Sequence, residues 1–437
     1  MIPVLLLTFG IAAALPVLTG LRRKGGFLHF SVLGGLVFLG QLFLQAVGVV
    51  RADSAPHDGL AKALLMCTLC ALAVHIAWEL PSPADPLTRL AYDSAAVFRI
   101  GTVFTAVGLA GFLLLARLSG GIAAHFSTSG AYALDWRGYP VAYSFFITYL
   151  SPGIFLTLFV AMRERSLVKY VVAALPLAVN LAFILILGRR AVLFDTGILI
   201  LTALWFALGY TPPRALLLAG AAFGAVAIYV APYYRPYSQI GADNERLRDL
   251  PVSQTMSATV NGIQEEFYNA AWVTEITSRN HAWQYGAGIY NYLVASFVPK
   301  LIFSEQFKER LFLTSTRWDF ETNDFGWHIA YGANMSGPAS SYIQFWFFGC
   351  LWFYLLARFM KRLYVRAMLG DLFAQCLYAG CMVHAIQSIG NYMYMILNPV
   401  VMFAPVLYLS IEFLTAPSKC RGRAVLLGRW SPNTETP

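Results

Sequence analysis

Charged residues are scarce in this chain. Aspartate, glutamate, lysine and arginine together make up 12% of the 437 residues, whereas hydrophobic residues make up 58%. A soluble globular protein carries about 25% charged residues, so this composition excludes an ordinary soluble fold. It is typical of a chain that crosses a lipid bilayer many times.

The motifs of several enzyme classes are also missing. The chain has no P-loop, no GxGxxG after a predicted strand, no HExxH and no GxSxG pattern. It also lacks a DxD-type carboxylate pair, which would hold a metal-bound nucleotide sugar. These absences argue against a nucleotide-driven pump, a zinc protease and a serine hydrolase, and we expect neither a metal site nor a cofactor.

Cysteine is absent from the long polar segment at residues 232–340. We therefore expect no structural disulfide there. Cys67 and Cys70 have CxxC spacing, but they lie within an apolar run. That setting favours helix packing over redox or metal chemistry.

What the chain has in abundance is long apolar runs separated by short basic loops. A helix crosses the hydrocarbon core with about 20 residues, and this pattern predicts about 11 such helices. The predicted spans are residues 2–20, 27–50, 60–80, 99–117, 141–161, 169–187, 191–210, 215–231, 341–358, 371–387 and 393–414. We therefore predict an all-α polytopic integral membrane protein.

The predicted organisation is a single membrane domain over residues 1–437. Its parts are an N-terminal bundle of about eight helices at 1–231, a large and partly helical loop at 232–340, C-terminal helices at 341–414 and a tail at 415–437. Aromatic residues and helix-like stretches such as 260–278 indicate that the loop is ordered. Long ordered loops are often functional.

The basic residues predict the orientation, because short cytoplasmic loops are enriched in lysine and arginine. If the N-terminus lies outside and successive spans cross the membrane in alternating directions, every strongly basic short loop and the C-terminal tail lie in the cytoplasm. These residues are Arg22, Arg23, Lys24, Arg163, Arg165, Lys169, Arg214, Arg358, Lys361, Arg362, Arg366, Lys419, Arg421 and Arg423. We therefore attribute the net charge of +9 to membrane topology. We expect a lipid bilayer as partner and no nucleic acid. The large loop is predicted to be external, and periplasmic in a Gram-negative cell.

One short turn opposes this rule. Gly188-Arg189-Arg190 lies on the predicted outer side. The arginines either reach lipid headgroups by snorkelling or bind an anionic ligand such as a diphosphate. Asp195 follows by about one helical turn, and we expect it to face the protein interior, where it would neutralise an arginine.

The densest polar segment is residues 316–332. Within it His328 is a candidate general base, and Asp324 would share its face in a helix. An ordinary solvated loop is the alternative. The carboxylates Glu265, Glu266 and Glu275 are alternative bases. The aromatic segment 232–237, ending at Tyr237, favours either an interfacial belt or a ligand surface.

Four features together resemble a known family. They are the span count with one large outer loop, the turn Gly188-Arg189-Arg190-Ala191, the element 290–303 with its proline-lysine pair, and the Gly/Ser-rich re-entry 332–342 followed by aromatic residues 345–349. Over roughly residues 90–415 the chain is similar to the Wzy-type oligosaccharide repeat-unit polymerases, and more distantly to the O-antigen ligases. It lacks the Arg-x10-Gly repeat of some members.

The resemblance implies a GT-C-like membrane fold and an inverting, metal-independent glycosyltransferase. Undecaprenyl-diphosphate-linked oligosaccharides would be polymerised at the outer face of the bacterial inner membrane, into O-antigen, capsule or exopolysaccharide. A chain-length regulator and a flippase would be partners. An O-antigen ligase and a membrane transporter are the alternatives.

The resemblance also implies roles for individual residues. Arginine binds phosphate oxygens bidentately, the acceptor hydroxyl needs a base, and aromatic faces hold sugar rings. The expected residues are Arg189, Arg190 and Arg317 for the diphosphate, His328 with Asp324 or the alternative Glu266 for catalysis, and Tyr237, Trp327, Tyr331 and Asn334 for the sugar.

Overall fold

The protein is described here from a computed structural model. The described residues are 1–82, 92–118, 121–127, 148–186, 189–213, 215–216, 219–220, 265–299, 302–313, 327, 329 and 334–414. Their α-helices are α1 (Ile2–Gly20), α2 (Phe30–Val37), α3 (Leu44–Ala52), α4 (His57–Glu79), α5 (Ser94–Leu118), α6 (Ile122–Ser127), α7 (Leu150–Glu164), α8 (Leu167–Leu185), α9 (Arg190–Leu208), α10 (Glu265–Arg279), α11 (Ala287–Phe297), α12 (Glu305–Leu311), α13 (Gly337–Phe345), α14 (Cys350–Met368), α15 (Leu372–Gly390), α16 (Leu397–Met402) and α17 (Ala404–Leu414).

Eight helical segments within the described residues are long and apolar enough to cross a membrane. They are Ile2–Gly20, Phe30–Ala52, His57–Glu79, Ser94–Leu114, Leu167–Leu185, Ala191–Leu208, Gly337–Met368 and Leu372–Gly390. The chain is thus an all-helical, multi-pass membrane protein. Of the other predicted spans, most of 215–231 and the start of 141–161 lie outside the described residues.

The last predicted span, 393–414, is not one helix. It forms the short helices α16 and α17, which are separated at Phe403. Pro399 and Pro405 lie in this stretch, and proline removes backbone donors from a helix and disfavours the helical conformation of the preceding residue. Neither piece alone reaches the length of a membrane span.

The second span contains an irregular turn. Phe38–Phe43 forms a π-helix between α2 and α3, and the three segments run continuously from Phe30 to Ala52. A π-helical turn widens the helix by one residue and is frequent at functional sites. It changes the directions in which the polar side chains of Gln41 and Gln45 leave the helix.

At one end of the bundle, basic side chains join the ends of several helices; we name this end the basic face. Arg23 pairs with Glu79 at 2.6 Å. Arg358 donates to the carbonyls of Leu80 at 2.9 Å and Pro81 at 3.1 Å. Lys361 also donates to Leu80, at 2.6 Å. Cations at a helix C-terminus satisfy its free carbonyls and oppose its dipole, so α14 stabilises the end of α4.

The hydroxyl of Tyr92 lies at the same end, between α5 and α15. It accepts from the backbone N–H of Leu372 at 2.6 Å and donates to Gly370 O at 3.0 Å. Burial raises the pKa of Tyr92 to about 12, and Arg163 and Arg366 lie close enough to oppose that shift. The basic residues Arg23, Arg163, Arg358, Lys361 and Arg366 thus share one face as predicted. Arg214 and the basic tail lie outside the described residues.

The opposite end, where α10 meets the turn before α4, we name the loop face. Gly59 in the first turn of α4 has no room for a Cβ atom, which would lie 2.3 Å from Ala271 O. Its carbonyl accepts from Thr274 Oγ1 at 2.9 Å. Phe267, Ala271 and Thr274 are fully buried. Although α10 belongs to the predicted large loop, it is thus packed into the core against α3, α4 and α13.

Two other expectations concern polar groups in the spans. Cys67 and Cys70 are both buried in α4 and form no disulfide. Asp195 is half-buried, and its Oδ2 accepts from Ser151 Oγ at 2.8 Å. The carboxylate does face the protein, but its hydrogen-bond partner among the described residues is a serine on α7, not the expected arginine.

Candidate functional site

The carboxylate of Glu266 lies against a transmembrane helix. Gln45 Nε2 donates to Glu266 Oε2 at 2.7 Å, and Gln45 Oε1 accepts from the backbone N–H of Phe267 at 3.0 Å. The N–H groups in the first turn of a helix have no partner within the helix. One side chain of α3 therefore holds both the carboxylate and the first turn of α10.

Three asparagines continue the polar contacts from α10. Asn269 follows Glu266 by three residues, so the two side chains are neighbours on the helix surface. Its Nδ2 donates to Asn334 O at 2.9 Å, and Asn334 Nδ2 donates to Asn391 Oδ1 at 3.2 Å. Residues far apart in the sequence thus meet beside α10.

The contacts return to the second span at Gln41. A Cβ atom on Gly390 would lie 2.9 Å from Gln41 Oε1, so this amide lies directly beside the end of α15. We name the resulting set the amide cluster. It consists of Gln41, Gln45, Glu266, Asn269, Asn334 and Asn391.

The cluster lies well below the loop face. Gln41 is midway between Phe30 and Ala52, and Gln45 is about 10 Å from the Ala52 end at the usual rise per residue. Gln45 and Asn269 are buried, at 6% and 4% exposed. Glu266, Asn334, Asn391 and Gln41 are only half-buried.

Aromatic rings flank the cluster on α10. Trp272, three residues beyond Asn269, stacks on Trp327 with ring centroids 5.8 Å apart and planes 9° apart. The Tyr268 ring meets Trp272 edge-on at 6.4 Å. The indole N–H of Trp272 is buried and has no hydrogen-bond partner in the described structure. A buried tryptophan N–H usually has one.

A second aromatic group follows Asn391. Tyr392 and Tyr394 stack with their planes 5° apart and their centroids 5.6 Å apart, and Tyr292 of α11 meets Tyr394 at 4.5 Å. Trp352 Nε1 donates to Met393 O at 2.7 Å and fixes this turn against α14. This aromatic group thus begins directly beside Asn391 in the chain.

These groups define what the site can do. Carboxamides donate to and accept from hydroxyls, and a carboxylate can take a proton from one of them. Within the described residues, no group of three or more histidine, cysteine, aspartate or glutamate side chains is placed to hold a metal ion. The arrangement suits a hydroxyl-rich ligand that contacts aromatic faces.

The structure brings together three of the residues predicted for the site. Glu266 and Asn334 belong to the amide cluster, and Trp327 reaches α10 through Trp272. Arg189 lies elsewhere, at the N-cap of α9, with its guanidinium 5.3 Å from the centre of the Phe183 ring of α8.

Of the other predicted residues, Glu275 is described and most of the rest are not. Glu275, one of the alternative bases, is buried and pairs with Arg279, and its Cβ would lie 2.7 Å from a Cβ atom added at Gly59. The backbone of Arg190 begins α9, but its side chain lies outside the described part of the chain. So do Tyr237, Arg317, Asp324, His328 and Tyr331.

Sequence reasoning missed most of the cluster. Gln41 and Gln45 lie four residues apart in an apolar run, and polar groups within spans often mark function. That signal was present but unused. Asn269 and Asn391 carry no such signal, because an asparagine in a loop helix or at a span end is ordinary.

Comparisons of the chain with protein families, with curated proteins and with solved structures find no match in any of the three.

Proposed function

We propose that this protein is a glycosyltransferase that polymerises lipid-linked oligosaccharide repeat units. The observation that carries the proposal is the half-buried carboxylate of Glu266, held by Gln45 among carboxamides and beside aromatic rings. A transferase that joins two lipid-linked sugars needs a base and sugar-binding surfaces within reach of the bilayer. The resemblance to Wzy-type polymerases supports the same reaction.

The reaction is a displacement at the anomeric carbon of the donor sugar. The acceptor hydroxyl oxygen forms the new bond to that carbon as the bond from the carbon to the diphosphate oxygen breaks. Glu266 takes the hydroxyl proton, and undecaprenyl diphosphate leaves with the bonding electron pair. Attack opposite the leaving group inverts the configuration, and the step needs no metal.

The leaving diphosphate requires cations, and we assign it to Arg189, Arg190 and Arg317. Arginine suits phosphate oxygens because its planar group donates two parallel hydrogen bonds. Arg189 and Arg190 stand at the start of α9, where the helix dipole also favours an anion. Loss of one such contact should cost about 2.7–4 kcal/mol of transition-state stabilisation. His328 with Asp324 is the alternative base.

The proposal places the loop face, and the reaction below it, on the outer side of the inner membrane. Tyr237, Trp327, Tyr331 and Asn334 would contact the glycan, and a flippase and a chain-length regulator would act with the polymerase. A ligase would use the same chemistry but transfer the finished polymer to a lipid A core.

A transporter is the second candidate, and two observations favour it. Transporters hold polar groups near the bilayer midplane on discontinuous helices. Gln41 lies midway along its span, and the last predicted span is divided into α16 and α17. A transporter would move its substrate without forming a glycosidic bond.

The test is a glycan profile of a deletion strain complemented with wild type, Glu266→Gln or the control Glu309→Gln. Glu309 is an exposed glutamate of α12. We expect Glu309→Gln to restore the long ladder and Glu266→Gln to leave single-repeat bands. A full ladder with Glu266→Gln contradicts the role of this carboxylate. Finished polymer left on the lipid carrier indicates a ligase, and repeat units held inside the cell indicate a transporter.

A further inference from the structure

The amide cluster differs chemically from a diphosphate site. Asn269, Asn334 and Asn391 bond to one another and to backbone groups. The Glu266 carboxylate forms no ion pair with any residue that the structure describes, and its partner is an amide. A desolvated diphosphate or a sugar carboxylate would meet like charge here and no compensating cation among these groups.

Unused hydrogen-bonding capacity points to an uncharged polar ligand. Each primary amide has two N–H donors and two acceptor lone pairs, and Asn391 and Gln41 are only half-buried. The indole N–H of Trp272 is buried and has no described partner. Sugar hydroxyls donate and accept at once, so they match such a mixture of groups.

The flanking rings supply the apolar part of the same site. The stacked pair Trp272 and Trp327 begins three residues beyond Asn269 on α10, and the stacked pair Tyr392 and Tyr394 directly follows Asn391. A pyranose ring has an apolar face of C–H groups that packs on aromatic rings, whereas its edge carries hydroxyls. The combination of amides with aromatic faces suits one sugar ring.

We propose that the amide cluster is a subsite for one uncharged sugar ring and that Glu266 discriminates against sugars with a carboxylate. This deepens the proposed function, since it identifies the acceptor sugar as neutral and separates it from the arginine site for the diphosphate. The binding part can be measured without any transfer reaction.

The test uses full-length protein in lipid nanodiscs and matched pairs of free ligands. Each pair is a methyl hexoside and its uronide, such as methyl glucoside with methyl glucuronide and methyl galactoside with methyl galacturonide. Saturation-transfer NMR titrations measure the affinity of each ligand. We expect the neutral member of at least one pair to bind wild type at least about tenfold more tightly than its uronide.

Two variants test whether charge determines the ratio of the affinity for a neutral ligand to the affinity for its uronide. Glu266→Gln removes the carboxylate and should lower the ratio toward one, whereas the exposed control Glu309→Gln should leave it unchanged. Asn391→Asp keeps the oxygen that accepts from Asn334 and adds a negative charge, so the ratio should increase. This second variant keeps the test valid if Glu266→Gln fails to fold.

Three results would overturn the subsite. They are equal or tighter binding of the uronides by wild type, a ratio that neither variant changes, and no binding by any neutral ligand of the panel. Neutral binding with an unchanged glycan profile in the deletion strain would reject polymerisation and retain the subsite. Loss of the ladder in Glu266→Gln, together with no preference of the wild type for neutral ligands, would reject the subsite and retain polymerisation.

Discussion

At the scale of single residues, Gln45 is the contact on which the proposed base depends. Its amide both donates to Glu266 and accepts from the Phe267 N–H. Gln45→Leu removes both bonds. A hydrogen bond to a charged group contributes about 1.5–3 kcal/mol, so we expect transfer to slow by about 30-fold. An in vitro assay with lipid-linked repeat units measures it.

Gln45→Glu separates positioning from simple stability. The new carboxylate still accepts from Phe267, but it can donate to Glu266 only when one of the two carboxyl groups is protonated. Activity relative to wild type should therefore rise as the pH falls. A pH profile identical in shape to that of wild type would show that Gln45 does not position the carboxylate.

His29 carries a second prediction, for stability. Its ring is buried between Trp78 and Tyr364, at centroid distances of 5.2 and 4.9 Å. Burial, together with Arg23, lowers the pKa of His29 from 6.5 to about 4. The unfolded chain therefore takes up a proton first as the pH falls below 6.5, and the folded protein loses stability until about pH 4.

The expected loss from pH 7 to pH 5 is about 2 kcal/mol. It is measured as a fall in the thermal midpoint of the detergent-solubilised protein. His29→Phe should flatten this dependence, whereas His57→Phe, at an exposed histidine, should not. A slope that persists in His29→Phe would assign the pH dependence to other groups.

At this scale, the sequence predicts candidate residues from local patterns, but it does not predict contacts between residues far apart along the chain. The adjacent glutamates at 265 and 266 stand out in a helix-like stretch, so Glu266 was a reasonable candidate. Its partner Gln45 is 221 positions away, and no local pattern connects the two. Arg189 was found by its opposition to the charge rule, a signal that indicates an unusual residue but not its neighbours.

At the scale of helices, eight of the eleven spans predicted from hydrophobicity correspond to helices long and apolar enough to cross a membrane. The irregularities of the helices were not predicted. An apolar run reports the length that a helix can cover in the bilayer. It contains no information on the π-turn at Phe38–Phe43, which keeps the run continuous. It also merged α16 and α17. It did not indicate that α10, within the predicted loop, packs against α4, because the polar face of α10 lowers its hydrophobicity.

The contact between α10 and α4 gives a prediction with a matched control. Gly59→Ala would place a Cβ 2.3 Å from Ala271 O and 2.7 Å from Glu275 Cβ. Backbone atoms cannot yield easily, so α10 must move. We expect a loss of about 1–3 kcal/mol in stability and lower activity, because α10 carries Glu266.

Gly197→Ala in α9 is the control. Its Cβ would meet nothing within 4 Å, and alanine favours a helix over glycine by about 1 kcal/mol. The thermal midpoint should stay equal or rise slightly. If the two variants behaved alike in thermal unfolding and in transfer assays, close packing at Gly59 would not determine the position of α10.

At the scale of the whole molecule, the two ends of the bundle have different chemistry. The basic face uses arginine and lysine to close helix ends, as Arg358 and Lys361 do for α4. The loop face instead has α10 and α11, and the amide cluster lies below it. The sidedness rule could predict this division from sequence, because it depends on the order of loops and not on their folding.

The orientation of these faces in the cell is the last prediction, and the proposed reaction depends on it. Because lysine and arginine favour the cytoplasmic side, the basic face should lie inside and the loop face outside.

Leu21→Cys at the basic face and Asn280→Cys at the loop face both alter exposed residues without changing a charge. Each is made in a variant without the native cysteines. A membrane-impermeant maleimide should label Asn280→Cys in intact cells and Leu21→Cys only after permeabilisation. The opposite pattern would place the amide cluster on the cytoplasmic side, and transfer between lipid-linked sugars at the outer surface would then be excluded.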